Sequence, residues 1–329
     1  MEAVRRAVID VGTNSVKLLV AELAHGELRP VCEESRQTRL GHQFYDTHRL
    51  QLGPIARTAE AVAEFETKAR AAGAGSVRVI ATSAARDAVN SADLVSAIKA
   101  ACGLPIEIIS GETEADWAFC GVTTDKELAQ ATLLLLDVGG GSTEFILGRG
   151  KERKFCRSFP LGTVRLLERC PHQDPPTPEE LSACRQWLRG FLDQHVAPEL
   201  APLLREDPSS VPGERIQLVG TGGTASILGC LEAQLAVFDR EKLEKTRVTH
   251  ERIEWQVQRL WSLPLEDRRH LVGLPSNRAD VILTGAAIYE TVMQYFGFDQ
   301  LRISTRGLRF AAVMDDPPPG EMPGNAPRL

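Results

Sequence analysis

The sequence predicts an α/β fold built from two related halves, and three observations carry that expectation. Strand-like and helix-like segments alternate along most of the chain. The string Asp10-Val11-Gly12-Thr13-Asn14-Ser15 returns as Asp137-Val138-Gly139-Gly140-Gly141-Ser142, both reading D-V-G-x-x-S. Each copy lies between two apolar, strand-like runs, so the repeat is a whole hairpin. At 329 residues the chain is long for one domain and comfortable for two.

The first hairpin is expected to pair strands at residues 7–10 and 16–23, with a third strand near residues 28–33. In "GPIARTAEAVAEFETKARAAGAG", Ile55, Ala59, Val62, Phe65 and Ala69 recur at helical spacing. "VRVIATSAARDAVN" reads as a strand running into a helix, followed by a second helix over residues 92–101. "PIEIISGETEADWAFCGV" repeats the order of strand, glycine punctuation and helix. A polar break at residues 123–129 precedes the second hairpin, "ATLLLLDVGGGSTEFILGRG".

The proline-rich "PHQDPPTPEE" then leads into a helix around residues 181–195, and "RIQLVGTGGTASILGCL" reads as strand, glycine turn and helix. A helix over residues 279–296, a strand over 300–304 and a short helix from Arg306 complete the order. These elements divide into an N-terminal domain, 1–125, and a C-terminal domain, 126–311, whose last helix is able to pack back on the first. The tail 312–329, with its "DDPPPGEMPGNAPRL", is expected to be disordered because Pro and Gly offer so little to pack.

Composition narrows the classes. Hydrophobic residues at 43% and charged residues at 25% are ordinary for a soluble globular protein. A net charge of −6 argues against non-specific nucleic-acid binding, which needs a basic face. It leaves room for a polyanionic substrate held by a local cluster of Arg and Lys. The seven cysteines, Cys32, Cys102, Cys120, Cys156, Cys170, Cys184 and Cys230, are scattered and never spaced C-x-x-C, which favours reduced thiols over disulfides or zinc. The chain enters a strand within about five residues, too soon for a signal peptide. Its longest apolar run, "ATLLLLDV", falls far short of a membrane span. A cytoplasmic location without membrane or nucleic-acid partners is the expectation.

Turning a hairpin needs only Asn and Gly, yet these bends also carry acids and hydroxyls. A glycine-rich turn aligns backbone N–H groups into a concave nest that binds anions. Thr13, Ser15, Ser142 and Thr143 add hydroxyl donors, and Asp10 and Asp137 stand just before the bends, where a carboxylate can hold Mg²⁺. Glu144 is a further candidate oxygen ligand. Two such bends across a cleft would grip a phosphate chain from both sides. The alternative is a pair of structural hairpins, and the repetition tips the balance toward the functional reading.

Other phosphate motifs fit less well. No Walker loop occurs. Gly220-Thr221-Gly222-Gly223-Thr224-Ala225 matches G-x-G-x-x-A, but the expected second strand ending in an acid is missing. A third phosphate-facing turn explains it better. Glu112 and Glu114 follow Ser110-Gly111 in the first turn of a helix, where acids also serve simply to complement the macrodipole. Arg86, Arg39 and Lys17 are each open between a solvated side chain and a phosphate clamp.

Together these strings resemble the exopolyphosphatase and guanosine pentaphosphate phosphohydrolase (Ppx/GppA) family, of the actin, sugar kinase and heat-shock ATPase superfamily. Five blocks match in order: "IDVGTNSVKLL", "ATSAARDAVN", "IISGETEADWAFCGV", "LLLDVGGGSTEFILG" and "LVGTGGTAS", spanning residues 8–226. A looser match runs through "RADVILTGAAIY" to "STRGLR". The first and fourth blocks indicate the superfamily, and the second and third single out the family. The resemblance implies two RNase H-like domains flanking a cleft, in the short form without a further C-terminal domain.

By the same resemblance, Glu114 is the general base that activates water, and Arg86 is a phosphate ligand. Asp137 and Glu144 belong to the Mg²⁺ site, while Asn14, Ser15, Gly140, Gly141, Ser142, Gly222 and Gly223 line the phosphate path. The sequence departs from the family pattern in three places. Thr13 and Lys17 stand where Ser and Arg are frequent, Thr113 replaces a second Glu, and the ending "GLRFAAV" replaces the usual "GLREG". The implied activity is Mg²⁺-dependent release of terminal phosphate from inorganic polyphosphate, with guanosine pentaphosphate as the alternative substrate. A kinase of the superfamily, or a non-catalytic polyphosphate or nucleotide sensor, is the competing reading. A homodimer is one assembly left open.

Overall fold

The computed structural model describes residues 3–25, 27–205 and 215–315. Two sheets organise it. The first holds strands β1 (Val4–Val11), β2 (Ser15–Ala24), β3 (Glu27–Gln37), β4 (Ser76–Ala81) and β5 (Ile106–Ile108) in the order β3-β2-β1-β4-β5. The second holds β6 (Leu133–Val138), β7 (Thr143–Arg149), β8 (Glu152–Phe159), β9 (Gln217–Thr221), β10 (Arg247–Thr249) and β11 (Gln300–Ile303) in the order β10-β11-β9-β6-β7-β8.

The repeat read from six letters extends to the topology. In each sheet the hairpin strands pair antiparallel, and the strand before the bend pairs parallel with the next strand on its other side. Parallel partners then continue outward, β4 with β5 and β9 with β11. Among the described strands only β10 lacks a counterpart.

Helices fill the layers on either side. In the first half these are α1 (Leu52–Ala71), α2 (Ser83–Asp87), α3 (Ser91–Cys102) and α4 (Gly111–Val122). The second half contributes α5 (Thr163–Arg169), α6 (Pro178–Phe191), α7 (Ala197–Arg205), α8 (Gly222–Glu232), α9 (Arg240–Lys245), α10 (His250–Ser262), α11 (Leu265–Arg268), α12 (Ile282–Phe296) and α13 (Leu308–Met314).

Strand alternation explains the layering. Ala7, Ile9 and Val11 of β1 face the core built with Ile55, Val62 and Phe65 of α1. Val8, between them, faces the opposite side with Leu19 and Ile80. In β6, Leu134, Leu136 and Val138 face the core of α6, α8, α10 and α12, while Leu133 and Leu135 face α4. Asp10 shares the face of Val8, and Asp137 shares that of Leu135. The two acids therefore end their strands on the inner faces.

Between the sheets lie α4 and α13. Ala115, Ala118, Phe119 and Val122 of α4 pack on the second sheet, and Trp117 joins α13 and the first sheet. The chain thus returns at its end to cover the first half, with Phe310, Ala311, Ala312 and Val313 all buried. This corrects the expected start of the tail at residue 312, because residues 312–314 continue a packed helix. Residues 316–329, the remainder of that expected tail, lie outside the described residues.

Two helix boundaries differ from the sequence reading for a local reason. The helix expected at residues 181–195 begins earlier, at Pro178, where Thr177 and Glu180 form a capping box with Pro in the first turn. It then passes through a π turn, Leu192–Val196, into α7. Among the described residues no helix is long and apolar enough to cross a membrane.

Candidate active site

The D-V-G-x-x-S bends are built alike. Gly12 N donates to Ser15 O at 3.0 Å, and Gly139 N donates to Ser142 O at 2.9 Å. They also touch. A Cβ on Gly140 would sit 2.9 Å from Thr13 Cβ, and one on Gly141 would sit 2.8 Å from Thr13 Oγ1. Glycine is required at both positions by this close approach. Gly222, at φ +81°, turns β9 into α8 and lies directly against the Asp137 carboxylate.

These turns enclose a cavity of about 790 Å³. Asn14, Ser15, Glu114, Asp137, Gly140, Gly141, Ser142, Glu144, Gly222 and Gly223 all line it, so three chain-distant turns and the α4 acid share one space. Arg86 is the exception. It lines an adjoining cavity of about 440 Å³ and reaches the first through Glu114, donating from Nη1 to Glu114 Oε2 at 3.0 Å and to Ile109 O at 3.1 Å.

Register sets the charges. Asp10 stands opposite Lys17 in the first hairpin, while Asp137 stands opposite Glu144 in the second. Burial raises the carboxyls of Asp10, Asp137 and Glu144 above their usual range. Lys17 opposes the rise at Asp10 and Asp137, while Glu114 and Asp137 push Glu144 further up. Ser158 Oγ donates to Glu144 Oε1 at 2.6 Å and pulls the other way. Glu114 is raised to about 7, mainly by desolvation, with Arg86 opposing and Asp10 and Asp137 adding to the rise.

The local sequence explains how α4 presents this acid. Ser110 caps the helix by accepting from Thr113 N at 3.1 Å. The apolar stripes of α4 are gripped by both sheets, which fixes the first turn at the cavity wall. Ser158 of β8 lies against Gly111, so the second half braces the same turn.

Several cavity residues escaped the sequence reading. Ser83 is 2% exposed, its Oγ has no hydrogen-bond partner, and it lines both cavities. Its signal was the hydroxyl pair Thr82-Ser83 at a strand-to-helix junction. Arg278 and Arg309 also line the larger cavity. Arg309 belongs to the departing "GLRFAAV" segment, donates to Leu18 O at 2.8 Å and pairs with Glu33 at 3.6 Å. Arg39 lies outside the cavity lining and pairs with Asp280 at 2.8 Å.

A clasp on one flank was equally invisible. Arg165 donates to Gly141 O at 2.8 Å and to Asp87 Oδ2 at 2.7 Å, with its guanidinium 4.1 Å from the centre of the Tyr45 ring. One turn on, the Glu168 carboxylate accepts from Tyr45 N at 3.1 Å. Helix α5 of the second half thereby holds α2 and the 44–45 loop of the first.

Comparison with known proteins agrees with this architecture. Residues 19–317 match the model of the Ppx/GppA phosphatase family. Exopolyphosphatase 2 of Mycobacterium tuberculosis is 37% identical over 320 residues, covering 92% of this chain and 96% of its own. Exopolyphosphatase 1 of the same organism is 27% identical, covering 94% and 87%. Among solved structures, the Aquifex aeolicus PPX-GPPA enzyme is 30% identical with a TM-score of 0.75, covering 96% of this chain and 100% of its own. An exopolyphosphatase-like protein reaches a TM-score of 0.84 at 26% identity, covering 96% and 98%. The paired α/β halves, the bends between them and these likenesses lead to one assignment: the chain belongs to the Ppx/GppA phosphatase family, as a hydrolase of phosphoanhydride bonds.

Proposed function

We propose that this protein removes the terminal phosphate from inorganic polyphosphate. The observation that carries the reading is a set of buried donors without partners, Asn14 Nδ2, Ser15 Oγ and Ser83 Oγ, in the same cavity as Glu114. Burying such groups unpaired is costly, and the oxygens of a phosphate chain satisfy them. The backbone N–H groups of the three glycine turns extend the same cradle, and Arg278 adds a cation beside Gly223.

The chemistry needs a base, a cradle and charge neutralisation. Ionised Glu114 takes a proton from a water molecule, and that water's oxygen bonds to the terminal phosphorus. The bridging P–O bond breaks, its electron pair stays with the bridging oxygen on the shortened chain, and orthophosphate is released. Arg86 holds the terminal phosphate and keeps the Glu114 carboxylate oriented. A pKa near 7 suits a base working at neutral pH.

The acids also fit a divalent cation. Asp10 Oδ1 is buried without a partner, and the acids crowding Asp137 and Glu144 are oxygen donors suited to a hard ion. Among the described residues no three His, Cys, Asp or Glu side chains form a metal-binding group on their own. Magnesium commonly takes one or two carboxylates and completes its shell with water and phosphate oxygens. Asp137 and Glu144 would hold it, and when bound it neutralises phosphate charge.

A second substrate has one observation in its favour. Beyond Gly223 the cavity wall turns apolar, with Ile227, Leu235, Phe238, Leu271 and Val272. Inorganic polyphosphate has no use for such a wall, whereas the nucleoside of guanosine pentaphosphate does. The test is phosphate release from long-chain polyphosphate, guanosine pentaphosphate and ATP side by side, with and without Mg²⁺. Release from polyphosphate that requires Mg²⁺ is expected, and release from ATP alone would overturn the reading.

A further inference from the structure

We infer that the smaller cavity is an exit site for orthophosphate, separate from the space that holds the substrate chain. The inference rests on the functional reading above and follows from the shared boundary of the two cavities. Glu114 lines the larger, Arg86 lines the smaller, and their 3.0 Å hydrogen bond spans the wall between them. Ser83 and Ser142 belong to both linings. When a bond breaks beside Glu114, the shortened chain still fills the larger cavity. The freed phosphate then lies between that chain and the wall marked by Arg86. Leaving through the smaller cavity lets the chain stay bound for the next cut.

The smaller cavity has the chemistry for this. Its volume, about 440 Å³, is enough for a hydrated phosphate. Arg86, Arg157 and Arg165 face it, and the unpartnered Ser83 Oγ is buried on its shared wall. Two acids are also present. Asp87 is neutralised by Arg165 at 2.7 Å, and Glu112 is exposed in the first turn of α4. Arg157 is half exposed and paired with Glu199, an exposed contact that leaves guanidinium donors available. Cations lining the cavity beside an exposed acid suit an anion that must leave, because the acid opposes tight retention.

The test uses labelled orthophosphate and the full chain. Glu114→Gln protein is saturated with long-chain polyphosphate in Mg²⁺ buffer, and bound orthophosphate is measured by equilibrium dialysis. Orthophosphate is expected to remain bound beside the chain, to bind about ten-fold more weakly in Glu114→Gln/Arg157→Ala, and to recover in Glu114→Gln/Arg157→Lys. With Glu114 intact, Arg157→Ala should raise the inhibition constant for orthophosphate by about the same factor and leave the KM for polyphosphate unchanged. Displacement of all orthophosphate by polyphosphate, or unchanged binding in the Arg157→Ala variant, would overturn the exit site while the hydrolase reading stands. A protein that neither binds nor hydrolyses polyphosphate would overturn both.

Discussion

The two hairpins share a frame and differ in charge. Each ends a strand with an inward Asp, turns through G-x-x-S and closes with the same backbone hydrogen bond. Opposite that Asp, the first hairpin places Lys17 and the second places Glu144. Under the proposed function, one bend meets phosphate with a cation, while the other concentrates acid where a metal would sit. The difference teaches that a duplicated scaffold divides its labour at single register positions. Folding keeps the frame, and chemistry separates the side chains.

Making the hairpins alike should break the site most severely. Lys17→Glu sets a new acid opposite buried Asp10, and an unpaired buried charge costs about 3–5 kcal/mol. Phosphate release should vanish and Tm should fall by roughly 10 °C, measured by calorimetry. Parental rate and Tm would make the charge difference incidental. Asp137→Ala tests the other hairpin and should slow phosphate release by roughly 10²-fold while weakening its Mg²⁺ dependence. A magnesium titration matching the parent would leave Asp137 structural.

The pH profile sharpens the contrast. As the proposed base, Glu114 must be ionised to accept a proton, so the rate should climb through about pH 7 and level off above it. Stability runs the opposite way. The folded carboxyl binds its proton more tightly than the unfolded one, so its contribution is full below about 4.5 and is lost as pH rises through about 7. Glu114→Gln should therefore be more stable than the parent at pH 8 and no more stable at pH 4.5, read from urea melts. The smallest effect is expected at the clasp. Arg165→Ala loosens the hold of α5 on Asp87 and Tyr45 and should raise KM a few-fold, with kcat nearly unchanged.

Much of the fold was legible because hairpins and amphipathic helices are local. The D-V-G-x-x-S pair located both bends, and "GETEADWAFCGV" located the helix of Glu114. Helix α10 escaped although Ile253, Val257 and Leu260 hold helical spacing, since the charged residues among them masked the stripe. Strand β8 escaped because only Phe155 and Phe159 of its eight residues are buried. The site was legible where its residues sit in strings. Arg165, Arg309 and Ser83 were not, because their partners lie far along the chain and only the folded topology brings them together. Arg86 was found, but its position on the far side of Glu114 required the second cavity to be seen.

Glu114 joins the two hairpins into one machine, on a helix gripped by both sheets. The most direct test replaces it with Gln, which keeps the shape and removes the proposed base. Phosphate release from long-chain polyphosphate and equilibrium binding of the same polymer are then measured on one preparation. The account predicts a loss of release of about 10²–10⁴-fold with binding largely intact. Turnover at the parental rate would contradict it.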